Sequence, residues 1–480
     1  MERKLAGLEP ERLFYYFEEL TRIPRGSGNE KGVADFICAF AEKRGLEYYR
    51  DALHNVLITK KASPGREKIA PVMLQGHIDM VCEKDPCVVH DFTRDPIELL
   101  IEDGWIKANG TTLGADNGVA VAMMLAILED ASAVHPTLEC LFTAQEEVGL
   151  VGARAFDGTK IKSRRFINLD SGKPGRVSAG CAGAERDTLT FRYPQSGADG
   201  ELVKLSVSGF AGGHSAGNMR STRENAIRFT ARILEFLYKS LPFRLVSLDG
   251  GNKMNAYPLG CDAVIVTPDA AKTEELARSL FCEYKRGLCE DDAGAKIEFS
   301  RHGKAAEAFT SDSTRRLLDL LTLLPNGVNS RLASDYDILE SSTSLGIVRT
   351  DGKTVTLTVM PRSSSETRLD ELAERFDALA RTFGGEILHS DRYPGWEYDP
   401  DSRLRALYTK VCKDLTGLDT EVVVAHGGLE CGVIGSKLGK FDAMATSAHI
   451  KGAHSPNERV NIDTFATTYK IIREMLARME

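Results

Sequence analysis

Apolar residues at Leu13, Phe14, Phe17 and Leu20 recur at helical spacing and predict a helix over 10–23, ended by Pro24. A loop, RGSGNE, separates it from a second amphipathic helix over 31–44, closed by Gly45. A short strand is predicted over 56–60. The pattern then changes to continuous apolar runs. Residues 70–74 (APVML), 137–143 and 166–169 each read as a strand buried on both faces, and 117–130, rich in Ala and Met, as an apolar helix between the first two. Strands separated by helices imply βαβ units and a mostly parallel sheet.

The character changes after residue 186. LVKLSVS at 202–208 alternates apolar and polar, as a strand with one solvated face does. Further strands are predicted at 263–267 and 354–360, with helices over 223–239, 273–284 and 366–383. From about residue 396 the α/β pattern returns, with helices over 403–416 and 462–479 and a strand at 443–446. The expected fold is therefore an α/β domain split in sequence, 1–186 and 396–480, with an α+β domain inserted at 187–395.

Composition narrows the function classes. The 480 residues are 42% hydrophobic and 27% charged, which is the balance of a soluble globular protein. With 61 Lys and Arg against 69 Asp and Glu, the net charge of −8 disfavours a nucleic-acid partner. No apolar run approaches the length of a membrane span, and MERKLAGLEPERLFYYFEEL has no apolar core of a signal peptide, so a cytoplasmic location is expected. None of the ten cysteines forms a CxxC pair, and reduced, structural thiols are expected.

Five segments concentrate ligand-type residues, most of them at the ends of predicted strands, where an open α/β sheet binds ligands. LQGHIDMV carries His77 and Asp79; a His at a strand end can reach a metal while the nearby carboxylate takes its other ring N–H. GADNGVAVAMM carries Asp116, which could equally cap the following helix. TAQEEVGL carries Glu146 and Glu147. Adjacent carboxylates raise each other's pKa unless a cation compensates, so this is either a ligand beside a base or a solvated turn. RFINLDSG ends in Asp170, another possible cap, and HIKGAHSPNERV carries His454 before the last helix. Mixed His and carboxylate sets suit Zn²⁺, Mn²⁺ or Co²⁺, and a bridging carboxylate is what a two-metal hydrolase requires.

The order HxD, GxDNG, EExG, LDS and a late GxHSP resembles the M20 family of metallopeptidases. LQGHIDMVCEKD, GTTLGADNGVAVAMMLAILED, TAQEEVGLVGA, GCAGA, GGHSAG, DGGNKMNAYP, HGGLECG and GAHSPNERV are similar, within it, to the aminoacyl-histidine dipeptidases. The resemblance implies a di-metal peptidase domain and an inserted lid and dimerisation domain. It implies two divalent ions, Zn²⁺ first, with His77 and Asp170 on one, Glu147 and His454 on the other, and Asp116 bridging. Glu146 would be the general acid/base and Asp79 would orient His77. His214 would stabilise the oxyanion from the partner of a homodimer. Asn255, Arg362 and the loop holding Gly428 and Glu430 would contact a small peptide substrate. Two stretches depart from the subgroup, GKPG after INLDS and TSAHIK before GAHSPNER, and both bear on substrate preference rather than on the metal set. A tripeptidase or an N-acyl amino acid deacylase would use the same ligands. A non-catalytic peptide-binding homologue would have lost a ligand or the base, and neither is missing.

Overall fold

The computed structural model describes residues 3–219, 221–303, 307–332 and 337–480. They divide into two compact units. One runs through Cys181 and resumes over Trp396–Ala425 and Leu429–Glu480; the other is Ala182–Gly395 with His426–Gly428.

The first unit is built on an eight-stranded sheet. Its order is Glu47–Arg50, Val56–Lys60, Leu138–Thr143, Val72–His77, Arg165–Asn168, Asp442–Ala445, Arg176–Cys181 and Glu421–Ala425. Four of its seven neighbouring pairs are parallel, including the central run from Leu138–Thr143 through Val72–His77 and Arg165–Asn168 to Asp442–Ala445. Val72–His77 and Leu138–Thr143 are buried along their whole length, which is why they lack alternation. The Ala115–Glu129 helix packs on Val72–His77 and is buried nearly all round, so its composition is apolar throughout. Phe14 and Phe17 of the Glu11–Thr21 helix pack edge-on against Phe465 of the Ile462–Arg478 helix, with ring centroids 5.4 and 5.5 Å apart. The first and last helices of the chain thus share one core.

Because the three central strands are parallel neighbours, their carboxyl ends lie along one edge of the sheet. His77, the segment 144–147 and Asp170 emerge there together. A small four-stranded sheet, Ile450–Lys451, Arg459–Asn461, Trp105–Ala108 and Leu99–Glu102, carries the loop with His454.

The second unit is a nine-stranded antiparallel sheet with the helices Ala226–Ser240, Ala270–Lys285, Ser311–Leu323 and Glu366–Phe383 packed on it. Glu201–Ser208 alternates between buried and half-buried positions, as LVKLSVS predicts. Gly183–Arg192 and Gly385–Tyr393 are neighbours at one edge of this sheet, the strands by which the chain begins and leaves the unit. All ten cysteines are free thiols. Among the described residues no helix is long and apolar enough to cross a membrane.

Candidate metal centre

Asp116 organises the site. Its Oδ1 lies 3.1 Å from His77 Nε2, and its Oδ2 lies 3.3 Å from His454 Nε2. His77 Nε2 is also 3.8 Å from Asp170 Oδ1, and His454 Nε2 is 3.0 Å from Glu147 Oε2. Two ligand groups share Asp116, His77 with Asp116 and Asp170, and Asp116 with Glu147 and His454; a third, His77 with Glu146 and Glu147, overlaps them. Within each group the candidate donor atoms lie within 4.8 Å of one another. Asp116 offers an oxygen to each of the two groups that share it, the arrangement by which a carboxylate bridges two ions about 3.5–4 Å apart.

The backbone explains why Asp116 can do this. The helix it opens is capped by Gly114, in the left-handed region at φ 71°, and Asp116 itself has non-helical angles, φ −81° and ψ 104°. The N-cap position is held by Gly114, and Asp116 is turned off the helix axis toward two imidazoles. A Cβ at Gly114 would collide with the Arg25 guanidinium, which makes glycine necessary there.

Asp79 does not reach the ligand groups directly. Its Oδ1 is 3.4 Å from His77 Nδ1, so it faces the ring nitrogen opposite to Asp116. It also accepts hydrogen bonds from Ser27 Oγ at 2.7 Å and from the amides of Glu146 and Glu147 at 3.0 and 3.3 Å. One buried carboxylate therefore fixes the His77 ring and the Glu146–Glu147 turn at once. Burial alone would raise Asp79, but the His77 ring and these hydrogen bonds outweigh it and hold the carboxyl below its ordinary range.

Glu146 Oε2 stands 4.0 Å from His77 Nε2. Burial pushes the Glu146 carboxyl up to about 8; Glu430, Glu147 and Asp116 add to this and His77 opposes it. His454 is pushed up to about 10, chiefly by its bonds to Asp116 and Glu147. Burial, followed by the nearby Asp116 carboxylate, raises Asp170 well above its usual value. Glu147 Oε1 is buried without a hydrogen-bond partner among the described residues. Four half-buried carboxylates with two imidazoles form an anionic cluster that its own hydrogen bonds leave under-compensated, a charge that divalent cations would balance. The donor set fits two such ions.

Two further groups hold the ligands, and neither carried a role in the motifs. Glu458 accepts from the amides of Leu113 and Gly114 at 2.8 and 2.9 Å and from that of Asp116 at 3.0 Å, tying the His454 loop to the Asp116 turn. Arg25, wholly buried, donates to the carbonyls of Ile78 and Asp79 at 3.0 Å and to that of Gly114. Both act on backbone, which leaves no chemical signature in a motif; Glu458 is marked only by its place four residues after His454, and Arg25 lies in a loop remote in sequence from every ligand segment.

The remaining expected residues fall elsewhere. Glu430 is not at a substrate-facing surface: it is 0% exposed, accepting from Thr143 Oγ1 at 2.7 Å and from Gln75 Nε2. Burial pushes its carboxyl up to about 7. It lies beneath the strand ends rather than in a cleft. In the second unit, His214 and Asn255 are brought together, with His214 bridged to Ala256 and the Ser215 amide bonded to the Asn255 carbonyl at 2.8 Å. Arg362, 2% exposed, donates to the Tyr393 hydroxyl at 3.2 Å, and Gly428 packs so closely on the same tyrosine ring that a Cβ would come within 2.7 Å of it.

Comparison with known proteins gives the family. Residues 73–478 match the family described as Peptidase family M20/M25/M40. The chain is 33% identical to the cytosol non-specific dipeptidase of Escherichia coli K12, with 98% of each chain covered. The solved aminoacylhistidine dipeptidase of Vibrio alginolyticus superposes with a TM-score of 0.92 at 31% identity, over 100% of this chain and 99% of that one. Aminopeptidase PepT from Bacillus cereus, at a TM-score of 0.57 and 16% identity, shares the fold. With the family matched over most of its length and its ligand-type residues gathered around one aspartate, the chain belongs to the M20/M25/M40 peptidase family.

Proposed function

We propose that the protein is a metal-dependent dipeptidase acting on Xaa-His and broader dipeptides, and that it works in the cytoplasm. The observation that carries the reading is the pair of Asp116 oxygens, each facing its own imidazole. The near full-length likeness to relatives named as dipeptidases supports the substrate class. In this reading His77, Asp116 and Asp170 hold one divalent ion, and Asp116, Glu147 and His454 hold a second, with Zn²⁺ first and Mn²⁺ or Co²⁺ accepted by the same donors. The pair of ions, when bound, polarises the scissile carbonyl and acidifies a water.

Glu146 is the general base and then the general acid. Its carboxylate takes the proton of the attacking water and hands it to the leaving amine. Asp79 keeps His77 in the tautomer that leaves Nε2 free, and pins the backbone of Glu146 so that the base cannot drift. The second unit is the lid and dimerisation domain in this scheme. Arg362 binds the substrate carboxylate, Gly428 keeps the loop beside it close to Tyr393, and His214, with Asn255, comes from the partner of a homodimer to stabilise the oxyanion. Glu430 is left out of the substrate contacts because its carboxylate is engaged by Thr143 and Gln75 beneath the strand ends.

The deciding experiment measures cleavage of Gly-His and β-Ala-His by chelated protein, and again after addition of Zn²⁺, Mn²⁺ or Co²⁺. Cleavage should vanish on chelation and return with metal. A fully metallated protein that cuts a tripeptide or an N-acetyl amino acid but no dipeptide would replace this reading with the tripeptidase or deacylase.

Two further results follow from the same scheme. Glu458→Gln replaces one of two oxygens that together serve three amides, so metal affinity should fall by about 10–100-fold. A competition titration against a chromogenic chelator reads this directly, and an unchanged affinity would remove Glu458 as the anchor. His214→Ala and Asp116→Ala protein should each be inactive alone yet regain activity after subunits are exchanged, because the mixed dimer contains one complete site. No recovery in a verified mixed dimer would rule out supply of His214 by the partner.

A further inference from the structure

A second cluster of ligand-type side chains lies wholly within the second unit. On the Gly183–Arg192 strand, Glu185, Asp187, Leu189 and Phe191 share the buried face, and Leu189 and Phe191 belong to the core. Two carboxylates therefore occupy positions where the pattern calls for apolar residues: Glu185 is 5% exposed and Asp187 0%. Opposite Asp187, in register on the Gly385–Tyr393 strand, is His389. Its Nδ1 is 2.8 Å from Asp187 Oδ1 and 3.9 Å from Glu185 Oε1. Its Nε2 is 3.5 Å from Asp377 Oδ2 on the Glu366–Phe383 helix.

Counting donors shows what the ring cannot do. An imidazolium has two N–H groups, and here one faces Asp187 and the other Asp377, so none remains for Glu185. Asp187 Oδ2 and Glu185 Oε2 are both buried without a hydrogen-bond partner among the described residues. Arg392 Nη1 is 3.8 Å from Glu185 Oε2, but its Nη2 is already 2.9 Å from Glu366 and 2.6 Å from Asp370. Among the described residues, these contacts set five carboxylates, Glu185, Asp187, Glu366, Asp370 and Asp377, against His389 and Arg392. Burying carboxylates in this state is costly, and burial pushes Asp187 up to about 6, with His389 opposing.

We propose that Glu185, Asp187 and His389 form a separate site for one divalent transition ion of the zinc or manganese type. The three donor atoms lie within 4.8 Å of one another. Zinc bonds of about 2.0–2.2 Å place tetrahedral ligand atoms about 3.3–3.6 Å apart. The two separations from His389 Nδ1, 2.8 and 3.9 Å, bracket that edge, and the two carboxylate oxygens lie within 4.8 Å of each other. The ion displaces the Nδ1 proton to solvent, Nδ1 becomes the ligand, and Nε2–H donates to Asp377, which fixes the tautomer. The His389 and Asp377 side chains are 30% and 34% exposed, which gives the ion a way in. Bound there, it joins the strand by which the chain begins the second unit to the one by which it leaves, and staples both beneath the Glu366–Phe383 helix.

The test counts ions. Protein is loaded with Zn²⁺, freed of excess, and its metal content measured by mass spectrometry with a chelator-competition titration. The wild type should hold one more ion per chain than His389→Gln. In a His77→Ala, His454→Ala background, which disables the other centre, one ion should remain, and adding His389→Gln should remove it. Asp377→Asn, an exposed change that leaves the three ligands in place, should weaken this ion alone by about 10–100-fold. Equal metal content and equal affinity in wild type, His389→Gln and Asp377→Asn would overturn the proposal. Loss of the ion only in the His77→Ala, His454→Ala background would assign it to the other centre and overturn it equally.

Discussion

Glu146→Gln should lower kcat by about 10²–10⁴-fold while leaving the metal content of the protein unchanged. The residue is poised for proton transfer and is not placed as a ligand in either Asp116 group. Its carboxyl is buried beside Glu147, Asp116 and Glu430, which pushes it up to about 8, and divalent cations at the neighbouring ligands would bring that value down toward neutrality. A base whose pKa sits near the working pH is the efficient one. Glutamine keeps the side-chain shape and leaves untouched the backbone bond to Asp79 at 3.0 Å, so the turn should not move. What it loses is the ability to take and return a proton. Each hundredfold corresponds to about 2.7 kcal/mol of barrier. Turnover of Gly-His and ion content by mass spectrometry check the two halves of the expectation. Near-normal turnover would end the assignment of Glu146. The adjacent Glu147→Gln is the internal contrast: Glu147 Oε2 contacts His454 at 3.0 Å, so that change should lower metal content as well as rate.

Much of this site is legible in the sequence because its ligands sit where the fold must put them. His77, Glu146, Glu147 and Asp170 each follow an apolar run, and three parallel strands bring those ends to one edge. His454 was harder. Its loop belongs to a small sheet whose strands Ile450–Lys451 and Arg459–Asn461 are too short to show a period, and its φ of 61° cannot be read from residue type. Asp116 is a sharper case. Residue type and position alone also allow a helix cap, and only the off-axis backbone at the start of the helix turns its two oxygens to within 3.1 and 3.3 Å of two imidazoles. Glu430 went the other way. Its motif suggested a pocket residue, but the Glu430–Leu438 helix carries it under the sheet edge against Thr143 and Gln75.

The second unit was legible mainly as a class. Its alternating strands mark an antiparallel sheet, yet the longest, Leu339–Asp351, shows no apolar alternation because LESSTSLGIVRTD has serines and threonines at buried positions. Three of those hydroxyls bond to other segments, Ser341 with Ser330, Ser342 with His426 at 2.6 Å and Thr343 with Asn329 at 2.9 Å, so polarity there does not mean solvent. Glu185 and Asp187 are hidden for the same reason: hydropathy registers two acids in a strand and carries no sign that they face the core.

Asp116→Ala should have the largest effect of any single substitution, a loss of turnover of about 10⁴-fold or more together with loss of both ions. Catalytic metal sites are built from three protein ligands and an open position. Without Asp116, His77 and Asp170 remain on one side and Glu147 and His454 on the other, two ligands each, with nothing to hold the pair at a fixed separation. The loss should therefore appear first as affinity, before any question of chemistry. Metal binding also stabilises the folded chain: at a hundred times its Kd, each ion contributes about 2.7 kcal/mol. Added Zn²⁺ should raise the melting temperature of the wild type. In Asp116→Ala the centre around His77 and His454 should contribute nothing to that rise, and any remaining rise should vanish on adding His389→Gln. Differential scanning calorimetry with and without metal, beside ion counts for the same samples, measures both. If Asp116→Ala kept both ions of that centre and its share of the thermal shift, the two ligand groups would be independent sites and the bridging role of Asp116 would be wrong.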